Sequence, residues 1–183
     1  MGTRYRLDKF RSQFTIKVRA SGLLASLGHN PTIAAGDFWG FLTFDADRPE
    51  QSSFEMTVRA DSLEVTDDVK QKDKREMEAT MRDEVLDVGK HSEIRFTSTG
   101  ISSSPVGEDT FQLRISGELA LHGVKRQECI SAQARFRDNG VQLTGKFALR
   151  QSDFKIKRVK ALAGALKVKD ELELAFDIQG LQE

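Results

Sequence analysis

Few residues in this chain are of a type and spacing that could do chemistry. The three histidines, His29, His91 and His122, stand apart, with no second histidine or cysteine at i+2 or i+4, so the spacing of a metal site is missing. Cys129 has no C-x-x-C partner, and strand alternation points its thiol away from the face of Ile130. Ser152 lies in Arg150-Gln151-Ser152-Asp153-Phe154, which lacks the glycines of a nucleophile elbow. The glycines from Gly36 to Gly40 do not have the spacing of a phosphate or dinucleotide loop. An enzyme acting on a bound molecule would have His29 alone as its acid or base. The residues therefore call for no catalytic group, no metal and no cofactor, and the chemistry left is apolar binding inside whatever the strands enclose.

The strands are plain in the pattern. Phe14, Ile16 and Val18 alternate with polar residues, as do Phe54, Met56 and Val58, and the odd positions from Phe111 to Leu121 form one apolar row. Phe38, Gly40, Leu42 and Phe44 share a face; later runs end with Leu172, Leu174, Phe176 and Ile178. Such alternation predicts strands with one dry and one wet face. His122-Gly123 and Asp138-Asn139-Gly140 supply hairpin turns, and Ser102 to Gly107 reads as a loop. About eight antiparallel strands of this length form a sandwich or a barrel. Glycines on the inward face at Gly40, Gly117 and Gly145 favour a closed, coiled sheet and suggest empty space inside it. Thr66 to Arg82 is predicted as a polar surface helix, capped by Thr66, supported by Glu78 and Arg82 at i,i+4, and touching the barrel through Val69, Met77 and Met81. A second short helix or turn is expected at Gly22 to Leu27. The expectation from the pattern is a mainly β protein: an antiparallel eight-stranded β-barrel with one or two surface helices, in one domain spanning 4–179.

Composition agrees. The 183 residues suit one core, and 28 basic residues against 28 acidic leave no overall electrostatic footprint for nucleic acid or an anionic membrane. Twelve phenylalanines against one Trp and one Tyr suit a dry interior, because Phe needs no hydrogen-bond partner. One cysteine excludes an intrachain disulfide. The opening Met1-Gly2-Thr3-Arg4-Tyr5-Arg6 has neither the apolar run of a secretory signal nor the Ser or Thr of a myristoylation motif. As given, the chain reads as cytoplasmic, or as periplasmic if a signal has been removed.

Six stretches in order resemble the YceI-like, polyisoprenoid-binding family, from about Tyr5 to Ile178. They are Tyr5-Arg6-Leu7-Asp8; Gly28-His29 with Gly40-Phe41-Leu42-Thr43-Phe44-Asp45; Ala60-Asp61-Ser62-Leu63; Phe96-Thr97-Ser98-Thr99; Gly117-Glu118-Leu119-Ala120-Leu121-His122-Gly123-Val124; and Arg150-Gln151-Ser152-Asp153-Phe154. The fifth is the most specific. Ser92 stands where the family has Pro, Lys125 where it has Thr, and Lys155 where it has Gly; Arg82-Asp83 is not followed by the family's His-Leu. The resemblance implies an extended lipocalin-like barrel holding a lipid, often an isoprenoid chain, in an elongated tunnel, and no enzymatic role.

The resulting expectation is a non-enzymatic carrier or reservoir for an isoprenoid or other long-chain hydrophobic molecule. Candidate lining residues are Phe14, Ile16 and Val18 on the first strand, Phe38, Leu42 and Phe44 further on, then Phe96, Leu119, Phe147 and Phe176. Met77, Met81 and Leu24 are placed to form a portal, with His29 as a polar contact for a head group. The alternative is a structural or stress-related interaction module with a closed core, forming a homodimer through the outward-facing Trp39 and Phe41.

Overall fold

A computed structural model describes residues 2–21, 30–161 and 166–183. In chain order the strands are β1 (Thr3–Lys17), β2 (Ala20–Ser21), β3 (Thr32–Ala35), β4 (Phe38–Phe44), β5 (Ser53–Arg59), β6 (Leu63–Val65), β7 (Glu93–Gly107), β8 (Thr110–Leu121), β9 (Val124–Arg137), β10 (Gly140–Arg150), β11 (Lys160–Ala161), β12 (Leu166–Val168) and β13 (Glu171–Gln182). The one α-helix among the described residues, α1 (Gln71–Thr80), runs into a wider π-type turn at Met81–Val85.

Eight strands close the barrel, running β1, β4, β5, β7, β8, β9, β10, β13 and back to β1. All neighbours are antiparallel. Closure removes the exposed sheet edge that an open array of such long strands would present. β1 is shared along its length: Thr3 to Arg6 pair with β4, while Thr15 to Lys17 pair with β3, which carries β6 beyond it. Between these stretches β1 bulges, its register against β13 shifting between Asp8 and Gln13. The Ser12 hydroxyl steadies the bulge by accepting the Gln179 N–H at 2.9 Å.

Three local expectations are corrected. Ser102 to Gly107 is not a loop but the far half of β7, paired with β8 alone because β5 reaches β7 only between Glu93 and Thr97. Pro105 is tolerated there because a strand with one unpaired side can spare an N–H. The helix begins at Gln71 rather than Thr66: the Thr66 N–H instead donates to the Thr32 carbonyl, prolonging the pairing of β3 with β6. Glu78 turns not to Arg82 but to β6, accepting the Val65 N–H at 2.9 Å, with Lys74 3.8 Å away. That bond satisfies an edge donor and ties the helix to the barrel.

The inward glycines do not leave empty space. A Cβ at Gly117 would lie 2.6 Å from Phe96 Cζ, and one at Gly145 would overlap the ring of Phe176, its cross-strand partner. At Gly40 a Cβ would strike the Glu55 carbonyl of the adjoining strand. Two glycines thus let aromatic rings lie along the wall, and the third lets two strands approach. The second short helix expected at Gly22 to Leu27 falls outside the described residues.

Candidate ligand cavity

The register of the strands divides the barrel into a packed end and a hollow end. At the packed end lie the start of β1, the end of β4, the start of β8 and the end of β9. Their inward aromatics form a plug: the Phe44 ring stacks on Phe136 at 4.8 Å and meets Phe111 edge-on at 5.2 Å, and Tyr5 leans on Phe136 at 5.5 Å. Burial of Tyr5 pushes its hydroxyl pKa above the usual tyrosine value. Above the plug Leu42, Leu113 and Ala134 are completely buried and make a floor.

Beyond the floor the lumen is open, with a cavity of about 480 Å³. Its walls carry Phe14 and Ile16 from β1 and Val18 just beyond it, with Phe96 and Leu119 from β7 and β8. Phe147 and Phe176 complete the far side, and Met77 and Met81 of the helix and its π-type turn close over the mouth. These nine expected residues therefore face one space. The rings in it stand apart: Phe14 and Phe176 stack 6.4 Å between centroids, and Phe54 and Phe96 are separated by 6.2 Å. Phe38, Leu42 and Phe44 do not line this cavity. Strand alternation shows that they point inward but not how far along the axis they lie. Phe44 and Leu42 pair with the beginning of β1 and fall in the packed end, while Phe38, opposite Val58, is buried where the chain steps from β3 to β4. Leu24 and His29 lie outside the described residues.

Sequence reasoning did not single out Val58, Ile115, Ile130, Leu143 and Leu172, which also line the cavity; the same alternation marks them, without the conspicuous size of Phe. It also missed the second lip, formed by Gln151, Ile156, Val159 and Val168. This lip is held by polar anchors: the Gln151 side-chain amide donates to the Lys169 carbonyl at 2.9 Å, and the Asp170 carboxylate accepts the Ser152 hydroxyl at 2.6 Å and its N–H at 2.9 Å. The Ser152 hydroxyl, followed by the backbone N–H, keeps the Asp170 pKa below the usual carboxylate value. The turn ends at Lys155, whose φ of 58° is left-handed, a conformation that favours glycine.

The described lining is apolar except for Glu76, Thr80 and Gln151. Glu76 and Thr80 come from the helix over the mouth, so the polar groups gather at the entrance and the depth is dry. The residues considered for chemistry are elsewhere. Cys129 is exposed, and His91 and His122 face each other at 4.9 Å in turns outside the lining, with His122 Nδ1 3.2 Å from the Phe154 carbonyl. Among the described residues no cluster of three or more His, Cys, Asp or Glu is placed to hold a metal. On the outer wall Trp39 is 44% exposed, whereas Phe41 lies under the Arg4 guanidinium at 3.8 Å.

Residues 5–180 match the family model of the YceI-like domain. The chain belongs to the YceI-like family. A UPF0312 protein of Azotobacter vinelandii is 30% identical over 155 residues, covering 80% of this chain and 72% of its own length. One of Pseudomonas putida (strain W619) is 27% identical over 191 residues, with 100% and 88% covered. Among solved structures, Burkholderia cenocepacia BcnA superposes with a TM-score of 0.71 at 16% identity, over 94% of this chain and 98% of that one. A polyisoprenoid binding domain from Saccharophagus degradans, implicated in plant cell wall breakdown, gives 0.69 at 15% identity, over 98% of both chains. At these identities the structural likeness establishes the fold: a YceI-like barrel, mainly β, whose eight strands close completely.

Proposed function

We propose that this YceI-like barrel is a non-enzymatic carrier or reservoir holding one long-chain hydrophobic molecule, an isoprenoid or a chain of similar girth, tail-first. One observation carries the reading: the hollow end holds a cavity of about 480 Å³ lined almost wholly by hydrocarbon, in a protein whose other end is filled by the contacting rings of Tyr5, Phe44, Phe111 and Phe136. An apolar guest in a space of that size gains dispersion contacts with every wall. The volume is within the range of pockets that hold small molecules, about 300–1,000 Å³. Burying a chain there gains about 0.8 kcal/mol per CH₂, so a dozen carbons offset much of an association cost of about 4–15 kcal/mol. The placement of Glu76, Thr80 and Gln151 orients the guest, polar end outward. The polyisoprenoid binding domain of Saccharophagus degradans, alike in fold, supports the same ligand class. The reading of a closed-core module loses support to the same cavity.

Denaturing solvent extraction of the purified protein, followed by mass spectrometry, tests the proposal. Recovery of a hydrophobic chain in near-equimolar yield is expected, and the stripped protein should take up farnesol. A protein that yields no lipid and, once stripped, takes up neither isoprenols nor fatty alcohols sinks it.

A further inference from the structure

Equal numbers of acidic and basic residues conceal an uneven distribution. The stretch from Lys155 to Lys169 contains six basic residues, Lys155, Lys157, Arg158, Lys160, Lys167 and Lys169, and no acidic one. The fold sets the described residues of this stretch at the mouth, because Ile156, Val159 and Val168, interleaved with the cations, line the cavity. An apolar residue turned inward leaves its charged neighbours turned out. Lys155, Lys157, Arg158, Lys160 and Lys169 are exposed, and none of the six cations makes an ion pair among the described residues.

The nearby acids do not neutralise them. Asp170 stays ionised under the Ser152 hydroxyl and shares the field of Arg158, and Glu173 is paired with Arg19 at 2.8 Å, which leaves three carboxylates, Asp153, Asp170 and Glu171, against six cations. The opposite lip differs. On α1, Lys72, Lys74 and Arg75 are matched by Asp73, Glu76 and Glu78, with Lys72–Glu76 and Lys74–Glu78 at salt-bridge distance. The positive charge is therefore one-sided and sits where a guest would enter. Val159, at the centre of the cationic stretch, is 37% exposed and also lines the cavity, so apolar surface continues from the lip into the lumen.

We infer that this lip docks the mouth of the barrel onto an anionic membrane surface, from which the cargo chain passes into the cavity. The inference rests on the carrier reading above. Unpaired lysine and arginine attract anionic head groups, and an exposed aliphatic side chain among them enters the boundary below. Nucleic acid fits less well, because the described lip has no aromatic side chain on which a base could stack. A long-chain hydrophobic guest also resides in bilayers, so a docking surface beside the mouth shortens its path through water.

Vesicle sedimentation tests the docking, with phosphatidylcholine vesicles and vesicles of phosphatidylcholine mixed with phosphatidylglycerol. The wild type should sediment with the anionic vesicles alone and be released by salt. The double variant Lys157→Gln, Arg158→Gln should bind them roughly 30-fold more weakly, each cation near the surface contributing about fivefold. Lys167→Gln, Lys169→Gln gives the same reading should the first pair not fold. Farnesol uptake from solution should be unchanged in both variants, since none of these side chains lines the cavity. Equal sedimentation on both vesicle types, none on either, or variants that bind like wild type overturn the docking. Charge-dependent docking without uptake of any hydrophobic chain supports it and removes the carrier reading instead.

Discussion

The cavity sets a chain length, and a single substitution should change it. A centre the size of water occupies about 30 Å³ in a condensed phase. On that scale the cavity of about 480 Å³ takes roughly sixteen carbons, three isoprene units with little to spare. Each unit buried gains at most about 4 kcal/mol from its five carbons, close to a thousandfold in affinity. Chain beyond the third unit stays in water and gains almost nothing. Affinity should therefore climb from prenol through geraniol to farnesol and level off at geranylgeraniol. Ala132 is the residue to perturb. It is 1% exposed, lines the lumen, and sits on β9 across from Leu113 on β8 and Gly145 on β10. In Ala132→Phe the added ring takes the place of about six carbons, one isoprene unit, at that same volume per centre. The plateau should move back to geraniol, and the melting temperature should fall, because at so buried a site the ring must push Phe176 and Leu113 aside to reach the lumen. Displacement of a fluorescent apolar probe across the isoprenol series measures both curves. Affinity that keeps rising beyond geranylgeraniol in the wild type, or an unshifted plateau in a folded Ala132→Phe, refutes the reasoning.

Other outcomes follow from the wall and the lips. Gly145→Ala puts a Cβ into the Phe176 ring and 2.6 Å from the Ser131 carbonyl, so it should cost about 1–3 kcal/mol in urea denaturation; the further change Phe176→Leu should restore only the ring's share of that loss. Lys155→Gly relieves a left-handed φ of 58° and should stabilise by about 1 kcal/mol in the same assay. Asp170 has a folded pKa below its unfolded one, so its stabilisation is present above the ordinary carboxylate value, about 3.9, and is lost as pH falls through the folded value. Urea midpoints measured down this range should fall less steeply in Asp170→Asn than in wild type. If a homodimer forms through Trp39, light scattering should show Trp39→Asp reverting to monomer; an unchanged mass removes that interface.

Much of the architecture was legible in the residues. Period-two alternation marked the long strands and their inward faces, since a one-residue slip would turn a whole row to water. Turn chemistry marked the hairpin at His122-Gly123, where φ is positive at both residues. The polar stretch with Met77 and Met81 on one seam marked the helix over the mouth. The helix start was misplaced because Thr66 has two uses, as a cap or as a continuation of β6, and only the presence of β3 beside it decides. The cationic lip was written in the sequence too, but zero net charge hid it, because a sum over the chain says nothing about where charges gather.

What the sequence alone determined is which side chains face inward, for alternation is a property of the strand itself. Only the closed barrel decided their depth. Phe14 and Phe44 are alike by pattern, yet one lines the cavity and the other belongs to the plug. Depth follows from how β1 is shared between β3 and β4 and from the bulge between those stretches, both products of pairing with strands distant in the chain. The glycines teach the same physics. A missing side chain leaves a vacancy on its own strand, but whether that vacancy becomes lumen or is filled by a ring such as Phe176 depends on the neighbour that closure brings opposite it.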